Sequence, residues 1–388
     1  VRPEPEQVAV AIPEADLEDL RRRLRATRFA DDFANEGWSY GVERGWLEEL
    51  VRYWADEYDW RAQEAVLNAL PHYRVELDGV PIHFVHARGR GPRPLPLVLT
   101  HGWPWTFWDW KDVIGPLADP AAHGGDAADA FDVVVPSLPG FGFSTPLRTT
   151  GVDGRRIAQL WARLMAEVLG YERFGAGGGD WGAIVTAELG HGFPEHLLGV
   201  WLTLPMLPGV NLRELGPDAF APDEAWMAER AREAREVIQS HRAVHQYEPQ
   251  TLAYALVDSP AGTGAWLWQR RRDWSGSLES FDRDFLCTTA SIYWLTKTIG
   301  TSLRLYAEHW RGGPPPPLHD RRRVIDVPTG IAVFPRELLF IPRALAEERT
   351  NLQRWTVMPR GGHFAPAEEP GLVIEELRTF FRPLRGSA

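Results

Sequence analysis

A glycine-rich run ends in Gly178-Gly179-Asp180-Trp181-Gly182 and leads directly into a helix-forming segment. Glycines two residues either side of the central position let a strand turn sharply into a helix, which lifts the central side chain over the edge of the sheet. The central residue is aspartate. Serine in that place would need a base to remove its proton, whereas a carboxylate of pKa about 3.9 is already anionic at pH 7. Such a group can displace a leaving group at an sp3 carbon and become esterified. The spacing predicts alkyl-enzyme chemistry and argues against a serine esterase.

What surrounds the elbow fits a parallel sheet. Short apolar runs at 97–100, 133–135 and 200–204 alternate with helical stretches. One of these is an amphipathic helix marked by Ile157, Leu160, Trp161, Leu164 and Val168, with Gly170 as its C-terminal cap. The other is the elbow helix, from Trp181 to about Leu189. Strand and helix in repetition predict an α/β fold, a mostly parallel sheet with helices on both faces.

Upstream, two apolar stripes at helical spacing predict helices: Leu17, Leu20, Leu24, then Trp46, Leu47, Leu50, Val51, Trp54. Tyr73, Val75 and Leu77 alternate, Asp78-Gly79 supplies a turn, and Ile82 and Phe84 return, which predicts a hairpin. Between 205 and 317 the alternation stops. That stretch reads as helical, holds Trp226, Trp266, Trp268, Trp274, Trp294 and Trp310, and ends in four prolines, as expected of an inserted helical cap. Sheet character returns at 331–334 and 355–358. The expected organisation is a helix-plus-hairpin extension over 1–90, core over 91–205, cap over 206–320, and core again over 321–388.

A formal net charge of −11 argues against a nucleic-acid partner, because phosphate binding needs clustered positive charge. The arginine triplets at 21–23, 270–272 and 321–323 read as solvated faces or helix-end charges. With one cysteine, Cys287, no intrachain disulfide can form. No signal-peptide run and no membrane-spanning run is present, so a cytoplasmic protein without a membrane anchor is expected.

Three further groups complete the chemistry. His101-Gly102-Trp103-Pro104 follows the strand at 97–100. In an α/β-hydrolase sheet this turn gives one backbone N–H to the oxyanion hole, here from Trp103, and the residue after the nucleophile, Trp181, gives the other. His101 is expected to brace the turn. His363, in Gly361-Gly362-His363-Phe364, sits on the loop after the last strand, where this fold carries its general base. Glu337 is the best-placed acid to orient that imidazole, ahead of Asp326, Glu347 and Glu348. The order Asp180, Glu337, His363 is nucleophile, acid, base.

In order along the chain, HGWP at 101–104, PSLPGFGFS at 136–144, GGDWG at 178–182, DSPAG at 258–262, VPTG at 327–330 and RGGHF at 360–364 resemble the microsomal-type epoxide hydrolase family of the α/β-hydrolase superfamily. The resemblance covers nearly the whole chain. It implies Asp180 as nucleophile, His363 as base, Glu337 as orienting acid, and cap tyrosines that hydrogen-bond the epoxide oxygen. Tyr306 matches one of these. The second falls on His241 in this sequence, with Tyr247 the nearest phenol; His241, Tyr247 and Pro104 are the expected substrate-binding positions. The resemblance implies no metal and no organic cofactor, only a small-molecule epoxide and water, and a place in detoxification or secondary metabolism. The microsomal relatives' membrane anchor is absent, which suggests a soluble bacterial member. A homodimer stays open.

Two other classes compete. A haloalkane dehalogenase also uses an aspartate elbow followed by tryptophan, but its leaving halide needs no acid such as Tyr306. A non-catalytic ligand-binding member of the fold predicts a broken triad.

Overall fold

Among the described residues nine strands form one sheet: β1 (Glu6–Val8), β2 (His72–Leu77), β3 (Val80–Ala87), β4 (Leu95–Thr100), β5 (Phe131–Pro136), β6 (Phe174–Gly178), β7 (Leu197–Leu202), β8 (Ile325–Val333) and β9 (Thr350–Val357). Their order is β1-β2-β3-β5-β4-β6-β7-β8-β9. From β5 to β9 all neighbours run parallel, while β1, β2 and β3 are antiparallel to their neighbours. The computed structural model describes residues 3–387. Val1, Arg2 and Ala388, the outer ends of the first and last expected segments, lie outside the described residues.

The central strands β6 and β7 are buried along their whole length, as continuous apolar or glycine runs require when helices cover both faces. The covering helices are α4 (Lys111–Ala118), α5 (Gly154–Arg163), α6 (Trp181–Gly192) and, from the end of the chain, α14 (Pro370–Phe381). Val200 packs on Gly190 of α6, whereas a Cβ on the adjacent Gly199 would meet Phe380 of α14. Successive strand residues point to opposite faces, so α6 and α14 lie on opposite sides of the sheet.

The expected hairpin is β2–β3, with Leu77 paired to Val80 across a two-residue turn. Asp78 (φ 52°) and Gly79 (φ 74°) both take the left-handed conformation that such a tight turn needs. Before the hairpin come α1 (Glu14–Arg25), α2 (Arg44–Asp56) and α3 (Trp60–Leu67). Leu17, Leu20, Leu24, Leu50, Val51 and Trp54 are buried, as their spacing predicts. The sequence reading missed β1. It is three residues long, with Glu6 and Gln7 exposed and Val8 half-buried, and it forms by pairing with the open edge of β2.

Five helices intervene between β7 and β8: α7 (Ala225–Tyr247), α8 (Pro249–Asp258), α9 (Pro260–Trp274), α10 (Arg283–Leu295) and α11 (Thr298–Trp310). After them α12 (Arg343–Arg349) joins β8 to β9, and α13 (Ala365–Glu368) precedes α14. Strands β8 and β9 begin five or six residues before the apolar runs that announced them. The early part of β9 is an edge carrying Asn351, Gln353 and Arg354, whose polarity hides the strand pattern.

One reading is corrected here. The triplet at 270–272 is not a solvated face, although Arg271 and Arg272 do lie in the last turn of α9, as the helix-end alternative expects. Arg270 and Arg271 are both buried, and Arg272 is half-buried. Arg271 is buried and makes an ion pair of 2.6 Å with the buried Asp109, joining α9 to the turn before α4. Its guanidinium also lies 3.9 Å over the Phe364 ring, beside His363.

Candidate active site

Strand β6 delivers Asp180 to the sheet's edge in a left-handed conformation (φ 51°, ψ −125°) that costs a non-glycine residue strain. Close packing explains the flanking glycines. A Cβ on Gly182 would lie 2.0 Å from the carbonyl oxygen of Thr100, and one on Gly102 would lie 2.3 Å from the Asp180 carboxylate. Any larger residue at 102 would push into the space the carboxylate occupies.

The turn after β4 supplies the first contact. Trp103 N–H donates to Asp180 Oδ1 at 2.7 Å. His101 has the bracing part expected of it: Nδ1 donates to the carbonyl of Gly102 (2.9 Å), and Nε2 accepts from Leu138 N–H (3.0 Å). Burial holds its pKa down at about 4, so it is a neutral strut.

His363 Nε2 lies 3.4 Å from Asp180 Oδ2. On its other side Nδ1 donates to Glu337 Oε1 at 2.7 Å, and the same oxygen accepts from Leu338 N–H. The loop that carries the imidazole is pinned twice. His363 N–H donates to the carbonyl of Trp274, and the Glu368 carboxylate accepts from Phe364 N–H and Gly276 N–H. His363 and Glu337 are buried, while the Asp180 side chain keeps 17% of its surface open. Burial works to lower the His363 pKa, but the two carboxylates outweigh it and hold it up at about 10. The imidazole is therefore protonated at neutral pH.

Above Asp180 lies a cavity of ≈ 50 Å³, roofed by Ile238 and His241 of α7, Trp274 of α9, and Tyr306 and Trp310 of α11. Tyr306 is buried, with its ring 4.9 Å from Trp181 and 6.0 Å from Trp103. Burial, followed by the charge on Asp180, keeps its phenol well above the ordinary tyrosine range, so it holds its proton and can donate. His241 reaches the same cavity. It stacks on Trp103 at 5.3 Å and stands 5.4 Å from the Tyr306 ring. Burial, then His245, holds its pKa well below 6.5, so it presents a neutral imidazole.

Two expected substrate-binding positions are corrected. Tyr247 is 62% exposed and does not line the cavity. It stands six residues beyond His241 on the continuous helix α7, about 240° around the axis at 100° per residue, and so faces away. Pro104 is buried in its turn but outside the cavity wall, and its carbonyl accepts from Arg271. Trp274 of the cavity wall was missed, as was His245, which stands behind that wall with its ring 4.5 Å from Trp103 and 4.8 Å from Tyr306. Only spacing could have announced His245, one helical turn after His241; its Nε2 accepts from Trp266 Nε1–H at 3.0 Å. Trp274 looks in sequence like any core tryptophan. Among the described residues no group of three His, Cys, Asp or Glu side chains is arranged to hold a metal ion.

Known proteins match this arrangement over nearly its whole length. Residues 5–110 match the family described as Epoxide hydrolase N terminus, and residues 96–370 match the alpha/beta hydrolase fold family. Epoxide hydrolase 1 of Oryctolagus cuniculus is 31% identical over 398 residues, covering 96% of this chain and 87% of its own. The chain belongs to the epoxide hydrolase family. Another relative, from Stigmatella aurantiaca, is 42% identical over 389 residues, covering 97% of this chain and 84% of its own. Among solved structures, an enantioselective mutant of the Aspergillus niger epoxide hydrolase superposes with a TM-score of 0.85 at 26% identity, covering 98% of this chain and 96% of that one. Among the described residues of this family member no helix is long and apolar enough to cross a membrane.

Proposed function

We propose that this protein opens an epoxide to a vicinal diol in two half-reactions, with Asp180 as the group that becomes esterified. One observation carries the reading: the Asp180 carboxylate stands between the Trp103 N–H at 2.7 Å and His363 Nε2 at 3.4 Å, with Glu337 behind the imidazole. In the first step a carboxylate oxygen of Asp180 attacks a ring carbon and the carbon–oxygen bond breaks. Tyr306 gives the departing oxygen its proton, with the neutral His241 as a second donor. In the second step His363 takes a proton from water, which attacks the ester carbonyl. The N–H groups of Trp103 and Trp181 receive the developing oxyanion, each such donor being worth roughly 3–4 kcal/mol. As the ester C–O bond breaks, His363 gives the proton taken from water to the departing alkoxide, completing the diol, and the proton released as Asp180 regains its charge returns to Tyr306.

Esterification itself prepares the base. It removes one of the two negative charges that raise the His363 pKa, so the imidazole loses its proton when a base is needed.

Single turnover of a styrene-type epoxide in labelled water tests this. The label is expected in Asp180 first, and in the diol only on later turnovers; label entering the diol directly would overturn the ester. The same preparation assayed for halide release separates this activity from a dehalogenase. Tyr306→Phe is expected to slow ester formation by roughly 10² or more, the ordinary worth of a positioned acid. Stopped-flow tryptophan fluorescence should read this step, because Trp181 and Trp103 flank the phenol.

A further inference from the structure

We infer that Arg242 and Arg213 form a carboxylate-recognition pair at the mouth of the cavity, which makes the preferred substrates epoxides that carry a carboxylate at the end remote from the ring. The inference rests on the reading of Asp180 as the attacking group.

The cavity at Asp180, ≈ 50 Å³, has room for a few water-sized groups only, so most of any larger substrate must lie outside it. Outside it is a cleft of ≈ 510 Å³, and the two spaces share Ile184, Met206, Arg213, Arg242, Trp310 and Leu339 as a common rim. The cleft's further walls include Leu207, Val210 and Leu212, which suit an apolar body. The two arginines are the cations of the rim.

Neither guanidinium has an anionic partner among the described residues. Arg213 makes a hydrogen bond through its backbone only. The Nε of Arg242 is buried with no hydrogen-bond partner, and its guanidinium lies 5.0 Å over the Trp310 ring. Trp310 in turn leans on Trp181, the residue after the nucleophile, at 6.2 Å. The carboxylates nearby are engaged or solvated. Glu188 of the cleft is bound to Arg155 at 2.9 Å, Glu214 is exposed, and Glu229 in the neighbouring groove is held by Arg232.

A half-buried cation without a counter-charge is costly, and Arg242 shows it, since burial lowers its pKa. A ligand carboxylate would remove that cost, and the planar guanidinium fork accepts it in bidentate fashion. The chain as a whole carries a net charge of −11, so an anionic substrate needs a local positive rim to approach. Stacking on Trp310 alone would leave Arg242 indifferent to substrate charge, and this difference can be measured.

The test compares a long-chain cis-epoxy fatty acid with its methyl ester. The wild type is expected to favour the acid by about tenfold or more in kcat/KM, mainly through KM, with the preference shrinking as ionic strength rises. Arg242→Gln and Arg213→Gln should each lower the acid-to-ester ratio, and the double variant should bring it close to one. Arg242→Lys should restore part of it. Hydrolysis of both probes without preference in the wild type, or a ratio unmoved by either glutamine, overturns the pair and leaves the ring-opening chemistry standing. Hydrolysis of neither overturns both.

Discussion

Replacing His363 with glutamine should turn a turnover catalyst into a single-use trap. Glutamine is close to histidine in reach and leaves Asp180, Trp103 and Tyr306 in place, so the first half-reaction keeps its nucleophile and its acid. The second loses its base. Intact mass spectrometry of His363→Gln after exposure to an epoxide should show one added substrate mass, and peptide mapping should place it on the segment holding Asp180. Steady-state diol formation should fall by roughly 10²–10⁴, the range for loss of a general base. Fully active protein with no adduct would remove His363 from the reaction. Adduct on any other residue would remove Asp180.

The candidate constellation of Asp180, Glu337 and His363 was legible because each member sits where backbone geometry leaves few choices. Gly182 must clear Thr100 and Gly102 must clear the carboxylate, and such restrictions leave a trace in a single sequence. Glu337 and His363 were found by their places after β8 and β9, and the structure brings their side chains to 2.7 Å. The cap was harder to read. Its helices carry apolar residues on most faces, so spacing does not separate a cavity wall such as Trp274 from ordinary core. The phenol at 247 looked close to 241 along the chain, yet α7 turns it to solvent. Arg271 was read as a solvated-face or helix-end charge, and its burial went unseen because the buried partner that neutralises it, Asp109, is 162 positions away. Long-range electrostatic pairing leaves no local pattern; steric need for glycine does.

Asp180→Asn should abolish turnover and, in the same molecule, report the state of the base after esterification. An amide is a poor nucleophile toward an epoxide, so neither diol nor adduct should form. It is also uncharged and close in shape to the esterified carboxyl, which makes it a fair stand-in for the intermediate. In the native site Glu337 and Asp180 together hold the His363 pKa up at about 10 against the opposing effect of burial. Removing the Asp180 charge leaves Glu337 alone against that burial. The pKa should therefore fall, toward the ordinary histidine value of about 6.5. NMR titration of the His363 ring in wild type and Asp180→Asn measures it directly. The sign matters for mechanism: a raised pKa keeps the proton on the imidazole while the carboxylate is free to attack, and a lowered one releases the imidazole to accept a proton from water. If the titration is the same in both proteins, esterification cannot be what switches His363 into its basic form.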